Sequence, residues 1–235
     1  MENDKRRVLV VAAHPDDIEY TVAGTVARWT SDGQEVIYVL VTDGNAGAAD
    51  PGVTREQIGA LRRAEQHAAA AAVGVREVVF LGYDDAILEP TLALRRDLAR
   101  VIRRYRPDAV VCQDSSAYWL GPDYLNHPDH RAAGNACLAA IFPAAGTRLA
   151  FPELLAEGWR PHCVREVYLT MTSTPDLWLD IEATLDRKLA AWAENHSQIS
   201  VTGLVEQRII EAARACAEGH PGMTYAEPFK HLRLS

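Results

Sequence analysis

The 235-residue chain has four cysteines, no apolar run of membrane-spanning length, no block of like charge and no Gly/Ser-rich or low-complexity stretch. Each shortage excludes a class of protein. Cys112, Cys137, Cys163 and Cys216 are far apart and form no CxxC pair, which argues against a disulfide framework, a thiolate zinc site or a redox motif. They read as small, reduced, mostly apolar residues. His14-Pro15-Asp16 interrupts the apolar run Val8–Ala13 too early for a signal peptide or membrane span, so a cytoplasmic protein with no membrane partner is expected. The formal charge of −8, from 24 Lys+Arg and 32 Asp+Glu, leaves no basic footprint for nucleic acid. Neither GxGxxG nor GxxxxGK[ST] occurs, which disfavours a dinucleotide or phosphate cradle, and a serine-hydrolase elbow G-x-S-x-G is missing too.

With 48% apolar and 24% charged residues, the chain is of ordinary globular composition, and its length fits a single domain over 1–235. Four short, Val-rich segments, Arg7–Ala13, Glu35–Thr42, Glu77–Gly82 and Asp108–Gln113, read as strands buried on both faces. Helical stretches at Ile18–Ser31, Thr54–Val73 and Thr91–Tyr105 separate them, with Thr54 and Thr91 as caps. The alternation predicts an α/β fold with a Rossmann-like, doubly wound, mostly parallel sheet flanked by helices. An Asp/Ser/Tyr/Trp/Gly/Pro-rich loop, Asp114–Asn126, then leads into a helix at about Pro128–Phe142. Strands at Arg165–Thr172 and Leu177–Ile181 and helices near Ala183–His196 and Leu204–Glu218 are expected beyond it.

Two polar clusters do not belong to a core. Strand one runs directly into His14-Pro15-Asp16-Asp17-Ile18-Glu19, one imidazole and three carboxylates within six residues. Asn126-His127-Pro128-Asp129-His130 sets two imidazoles three positions apart at a helix start, facing one side. Either alone reads equally as helix-capping or surface polar sequence. In a sheet of order 3-2-1-4-5, however, the first and fourth strands are neighbours, and the ligand crevice opens at their carboxyl ends. The clusters should therefore meet there. A His/Asp/His donor set suits zinc with an open fourth position, and only one of the two adjacent acids is expected to ligate. The other is left near metal-activated water, the setting of metal-assisted hydrolysis.

AHPDD-x-E after the first strand, followed by HPDH, resembles the LmbE-like (PIG-L) de-N-acetylases. The resemblance extends through Arg62-Arg63-Ala64-Glu65 and His196-Ser197-Gln198 to Tyr225-Ala226-Glu227-Pro228-Phe229, although RxxE and HSQ are weak motifs by themselves. It implies the LmbE-like fold and a zinc-dependent hydrolase acting on an N-acetylated amino sugar conjugate or related small amide, with Fe2+ as another divalent option. By position it implies that His14, Asp17 and His130 bind the metal and that Asp16 is the general base. His127 would stabilise the oxyanion or act as general acid, Asp129 would orient an imidazole, and Arg62 would contact substrate hydroxyls. Relatives often assemble as homo-oligomers. The chain departs from the commoner Gly-Gly at Ala23-Gly24, and Trp119–Asn126 is its own at the expected pocket rim.

Other residues carry less. His196 reads as a packing or capping residue near the core, with a direct substrate role as the alternative, while His67, His162, His220 and His231 lack a partner at metal spacing. Tyr118, Trp119 and Tyr124 read either as a sugar-stacking rim or as loop aromatics packed back onto the domain. Two further functions stay open: a metal-dependent hydratase of an unsaturated dicarboxylate on the same fold, and a metal-containing binding protein without turnover.

Overall fold

The computed structural model describes residues 5–198 and 204–234. In chain order its elements are β1 (Arg7–Ala12), α1 (Asp17–Thr21), α2 (Ala23–Ser31), β2 (Glu35–Thr42), α3 (Arg55–Ala72), β3 (Glu77–Tyr83), α4 (Leu92–Tyr105) and β4 (Ala109–Gln113). There follow β5 (Trp119–Leu120), β6 (Tyr124–Leu125), α5 (Pro128–Ala139), α6 (Glu153–Ala156), β7 (Glu166–Thr170), β8 (Leu177–Asp180), α7 (Leu185–Ala193), α8 (Leu204–Ala217) and β9 (Ala226–Arg233). Seven strands form one sheet in the order β3-β2-β1-β4-β7-β9-β8, and β5 and β6 pair separately as a small hairpin. Pairing is parallel from β3 through β7, and β9 joins antiparallel to both β7 and β8. The expected mostly parallel sheet with β1 beside β4 is present.

Alternation along the strands explains why both faces are covered. Val8, Val10 and Ala12 point to one side, against Val26 of α2 and Ala69 and Ala70 of α3. Leu9 and Val11 point to the other, against Leu94 and Leu98 of α4 and Ala133 and Ala136 of α5. Thr54 opens α3 with a reciprocal capping box to Gln57, and the Thr91 side chain accepts the Leu94 N–H to start α4. No helix among the described residues is long and apolar enough to cross a membrane.

Two expectations need correction, each for a physical reason. The helix expected over 18–31 is two helices, broken at Val22 (φ −139°, ψ 2°). The Glu227 carboxylate, reaching from β9, accepts the Gly24 N–H at 3.0 Å and the Thr25 N–H at 2.7 Å, which starts α2 afresh. Glu227 is itself paired with buried Lys188 at 2.5 Å, and Lys188 also donates to Tyr20 O at 2.8 Å. The helix expected over 128–142 stops at Ala139 and widens into a π-type turn over Ala140–Ala145, where Phe142 is extended (φ −137°, ψ 126°) before Pro143. Buried Arg103 collects the carbonyls of Ala144, Ala145, Thr147 and Ala150 beneath that turn. Periodicity did not mark β9 at all.

One close approach positions the site. α5 crosses β4 so tightly at Gly134 that a Cβ there would lie 2.2 Å from the Gln113 carbonyl oxygen.

Candidate active site

Every polar residue of the site hangs from the carboxyl end of a parallel strand or from the helix that follows it. His14 to Asp17 continue β1 into α1, Asp85 follows β3, Gln113 ends β4, and His127 to His130 begin α5. This is the crevice that the strand order predicts.

Asp17 lies between two imidazoles. Its Oδ1 is 3.0 Å from His130 Nε2 and its Oδ2 is 3.4 Å from His14 Nδ1. Oδ2 also accepts the His14 backbone N–H at 2.8 Å and the Gln113 side-chain amide at 3.0 Å, while the Gln113 oxygen accepts the Ala13 N–H. Burial works against the Asp17 charge, but His130 and His14 hold its pKa well below the ordinary carboxylate range. Burial likewise disfavours a charged His14, yet the Asp17, Asp129 and Asp85 carboxylates outweigh it and push that pKa up to about 12. Three carboxylates around one imidazole make a place for positive charge.

Two groups among the described residues bring three metal-ligating atoms within 4.8 Å of one another: His14–Asp17–His130 and His14–Asp85–His127. Tautomers separate them. The Asn126 side chain donates its amide to Ala117 O at 2.7 Å and so presents its oxygen to His130 Nδ1 at 2.9 Å. That oxygen can only accept, so Nδ1 carries a proton, and Nε2, which faces Asp17, is the nitrogen left for a metal. His127 is the reverse: its Nδ1 accepts the Asp129 backbone N–H at 3.1 Å as the cap of α5, which leaves the proton on Nε2. Burial and neighbouring His14 lower the His127 pKa and favour that neutral, donating form.

Asp129, 1% exposed, spans the site. Its Oδ2 is 3.3 Å from His14 Nε2 and accepts the Ala86 N–H at 2.7 Å, while Oδ1 accepts the Leu88 N–H at 3.3 Å and lies 3.8 Å from His127 Nδ1. Asp85 Oδ1 also faces His14 Nε2, at 3.0 Å. Burial opposes the Asp85 charge, but the bond to His14 and the Ala46 N–H draw its pKa down to about 2.

Asp16 stands beside the first group without belonging to it. Burial pushes its pKa up to about 7, against the pull of Arg62 and with the push of Asp17. Arg62 is 4% exposed, and its Nη2 donates to Pro15 O at 2.7 Å and to Asp16 Oδ2 at 3.1 Å.

The structure thus gathers all seven residues singled out in the sequence, with Arg62 buried against the Asp16 loop. The sequence assigned no role to Asp85, Gln113, Asn126 or Gln66, whose Oε1 accepts the Asp16 N–H. A polar residue ending an apolar strand was a usable signal for Gln113, and the position just ahead of HPDH was one for Asn126. His196, expected to pack or cap, has a side chain 75% exposed, and Ser197 and Gln198 face inward instead.

Residues 9–141 match the family described as PIG-L: GlcNAc-PI de-N-acetylase. A diacetylchitobiose deacetylase of Thermococcus kodakarensis is 33% identical over 196 residues, spanning 83% of this chain and 71% of that protein. The solved structure of N,N'-diacetylchitobiose deacetylase from Pyrococcus horikoshii is similar at a TM-score of 0.89 and 29% identity, covering 98% of this chain and 85% of that one. A 4-carboxy-2-hydroxymuconate hydratase from Pseudomonas putida shares the fold at a TM-score of 0.72 and 23% identity, covering 98% and 97%. By the matched segment, which holds both polar clusters, and by this likeness over most of its length, the chain belongs to the PIG-L (GlcNAc-PI de-N-acetylase) family.

Proposed function

We propose that the protein is a zinc-dependent hydrolase that removes the acetyl group from an N-acetylated amino sugar conjugate, with Asp16 as general base. One observation carries this reading: a carboxylate, Asp16, stands next to a His/Asp/His donor group and outside it. The deacetylase activities of its relatives support the same reaction class.

His14, Asp17 and His130 would hold the ion. Two nitrogens and one oxygen suit zinc and leave a fourth position open, and Fe2+ accepts the same donors. Asp17 reaches both imidazoles, Oδ1 at 3.0 Å from His130 Nε2 and Oδ2 at 3.4 Å from His14 Nδ1, and one donor atom from each of the three residues lies within 4.8 Å of the other two. His130 would offer Nε2, its Nδ1 being held by Asn126, and His14 would offer Nδ1 while its Nε2–H donates to Asp85 and Asp129. When bound, the ion supplies Lewis acidity, which lowers the pKa of water from about 15.7 toward about 7.

The chain's own groups do the rest. Asp16 takes the proton of the attacking water. His127, held as the Nε2–H tautomer by its capping bond, donates to the oxyanion that develops on the carbonyl oxygen, and the proton that Asp16 takes from water passes to the leaving amine. Asp129 fixes His14 and the 86–88 backbone together. Arg62 is 4% exposed and its Nη atoms are bonded to Gly44 O, Pro15 O and Asp16, so the contact to sugar hydroxyls that the resemblance implies is not part of this reading.

The test is metal quantification together with amine and acetate detection. The substrates are N-acetylglucosamine, N,N'-diacetylchitobiose and the N-acetylglucosaminyl conjugates of malate and inositol, with and without chelator. About one equivalent of divalent metal and chelator-sensitive amine release are expected. Bleaching of a conjugated dicarboxylate without amine release would replace this reading with the hydratase, and metal binding without either reaction would leave a binding protein.

A further inference from the structure

Asp16 has a φ of 83°, a left-handed conformation uncommon for a residue with a Cβ. One face of α3 holds it there. Arg62 and Gln66, four positions apart, present their side chains on the same side. Arg62 Nη2 bonds Pro15 O and the Asp16 carboxylate, and Gln66 Oε1 accepts the Asp16 backbone N–H at 3.3 Å. Gln66 is itself oriented, because its Nε2 donates to Glu19 Oε1 at 2.9 Å in a pocket where both residues are fully buried.

Arg62 is also roofed. Its Nη1 donates to Gly44 O at 3.2 Å, and a Cβ at Gly44 or Gly47 would lie 2.2 or 2.5 Å from that nitrogen, so only glycine lets the turn close over the guanidinium. The turn is fastened from far along the chain. Gln198 Nε2 donates to Gly47 O at 3.0 Å, and the Glu65 carboxylate accepts the Ser197 N–H and hydroxyl, each at 2.7 Å. RxxE and HSQ, weak as separate motifs, are two halves of one latch.

We infer that Arg62 and Gln66 are positioning residues that hold Asp16 in its strained geometry, and that the Glu65–Ser197–Gln198 latch keeps Arg62 seated. The inference rests on the proposed role of Asp16 and gives Arg62 a task that acts through another residue.

The test uses metal-loaded protein and N,N'-diacetylchitobiose. Gln66→Leu and Arg62→Lys should lower kcat about 10–100-fold, in keeping with the cost of a misplaced reacting group, while KM stays within about two-fold and metal content stays near one equivalent. In an Asp16→Asn background neither change should lower residual turnover by more than about two-fold. A rise in KM at unchanged kcat, or full losses repeated in that background, would overturn the inference. Thermal unfolding supplies a second reading that needs no turnover: Arg62→Met should lower Tm by several degrees less in Asp16→Ala protein than in the parent. Equal shifts in the two backgrounds would overturn the inference. If the parent hydrolyses no acetamido sugar, the hydrolase reading fails and the unfolding cycle alone decides the positioning.

Discussion

Asp85 Oδ1 lies 3.0 Å from His14 Nε2, on the far side of the imidazole from Asp17. The ring is therefore gripped at both nitrogens, and the Asp85 grip leaves Nδ1 as the nitrogen available to a metal. Such supporting carboxylates are typically worth 10–100-fold in metal affinity. Asp85→Leu should weaken zinc binding by about that factor, measured by competition with a chromophoric chelator. Unchanged affinity would show that Asp129 alone suffices.

Asp16→Asn should keep the metal and lose amide hydrolysis by about 10²–10⁴-fold, the range for removal of a general base. Metal analysis and single-turnover amine release on the same preparation check both halves.

The two histidines of HPDH should separate cleanly. His130→Ala should lose the metal, since it removes the Nε2 that Asn126 aims at Asp17. His127→Ala should retain it and lose about 10²–10³-fold in kcat, the cost of one oxyanion donor. Loss of metal from His127→Ala with retention in His130→Ala would favour the group containing Asp85 over the one containing Asp17.

Lys188→Met leaves Glu227 buried without its cation, and breaking a buried pair from one side costs about 3–5 kcal/mol. A fall in Tm of about 10 °C is expected for a chain of this length, read by calorimetry. The Gly24 and Thr25 N–H groups still bind Glu227, so the variant should remain folded at room temperature.

Much of this architecture was legible, and the remainder shares one cause. β1, β2, β3 and β4 announce themselves because a strand covered on both faces must be continuously apolar, and the His14 and His130 clusters stand out against such strands. The break at Val22 was illegible because its cause, Glu227, lies 203 positions from Gly24. β9 carries Glu, Pro, Lys and His within eight residues, so its pattern does not resemble a buried strand, although it pairs on both sides. Asp85 is one acid of an ordinary turn until folding places it on His14. Local chemistry was readable; partnerships across the fold were not.

Gly134 carries no functional group, yet it sets a spacing that the polar residues depend on. With a Cβ there only 2.2 Å from Gln113 O, even alanine must lift α5 away from β4. His127, Asp129 and His130 travel with α5, whereas His14 and Asp17 stay with β1, so a single methyl group would pull the two halves of the donor set apart. Sequences can therefore retain every ionisable residue of AHPDD and HPDH and still lose the centre, because its tolerance is written in the thickness of one helix-to-strand contact.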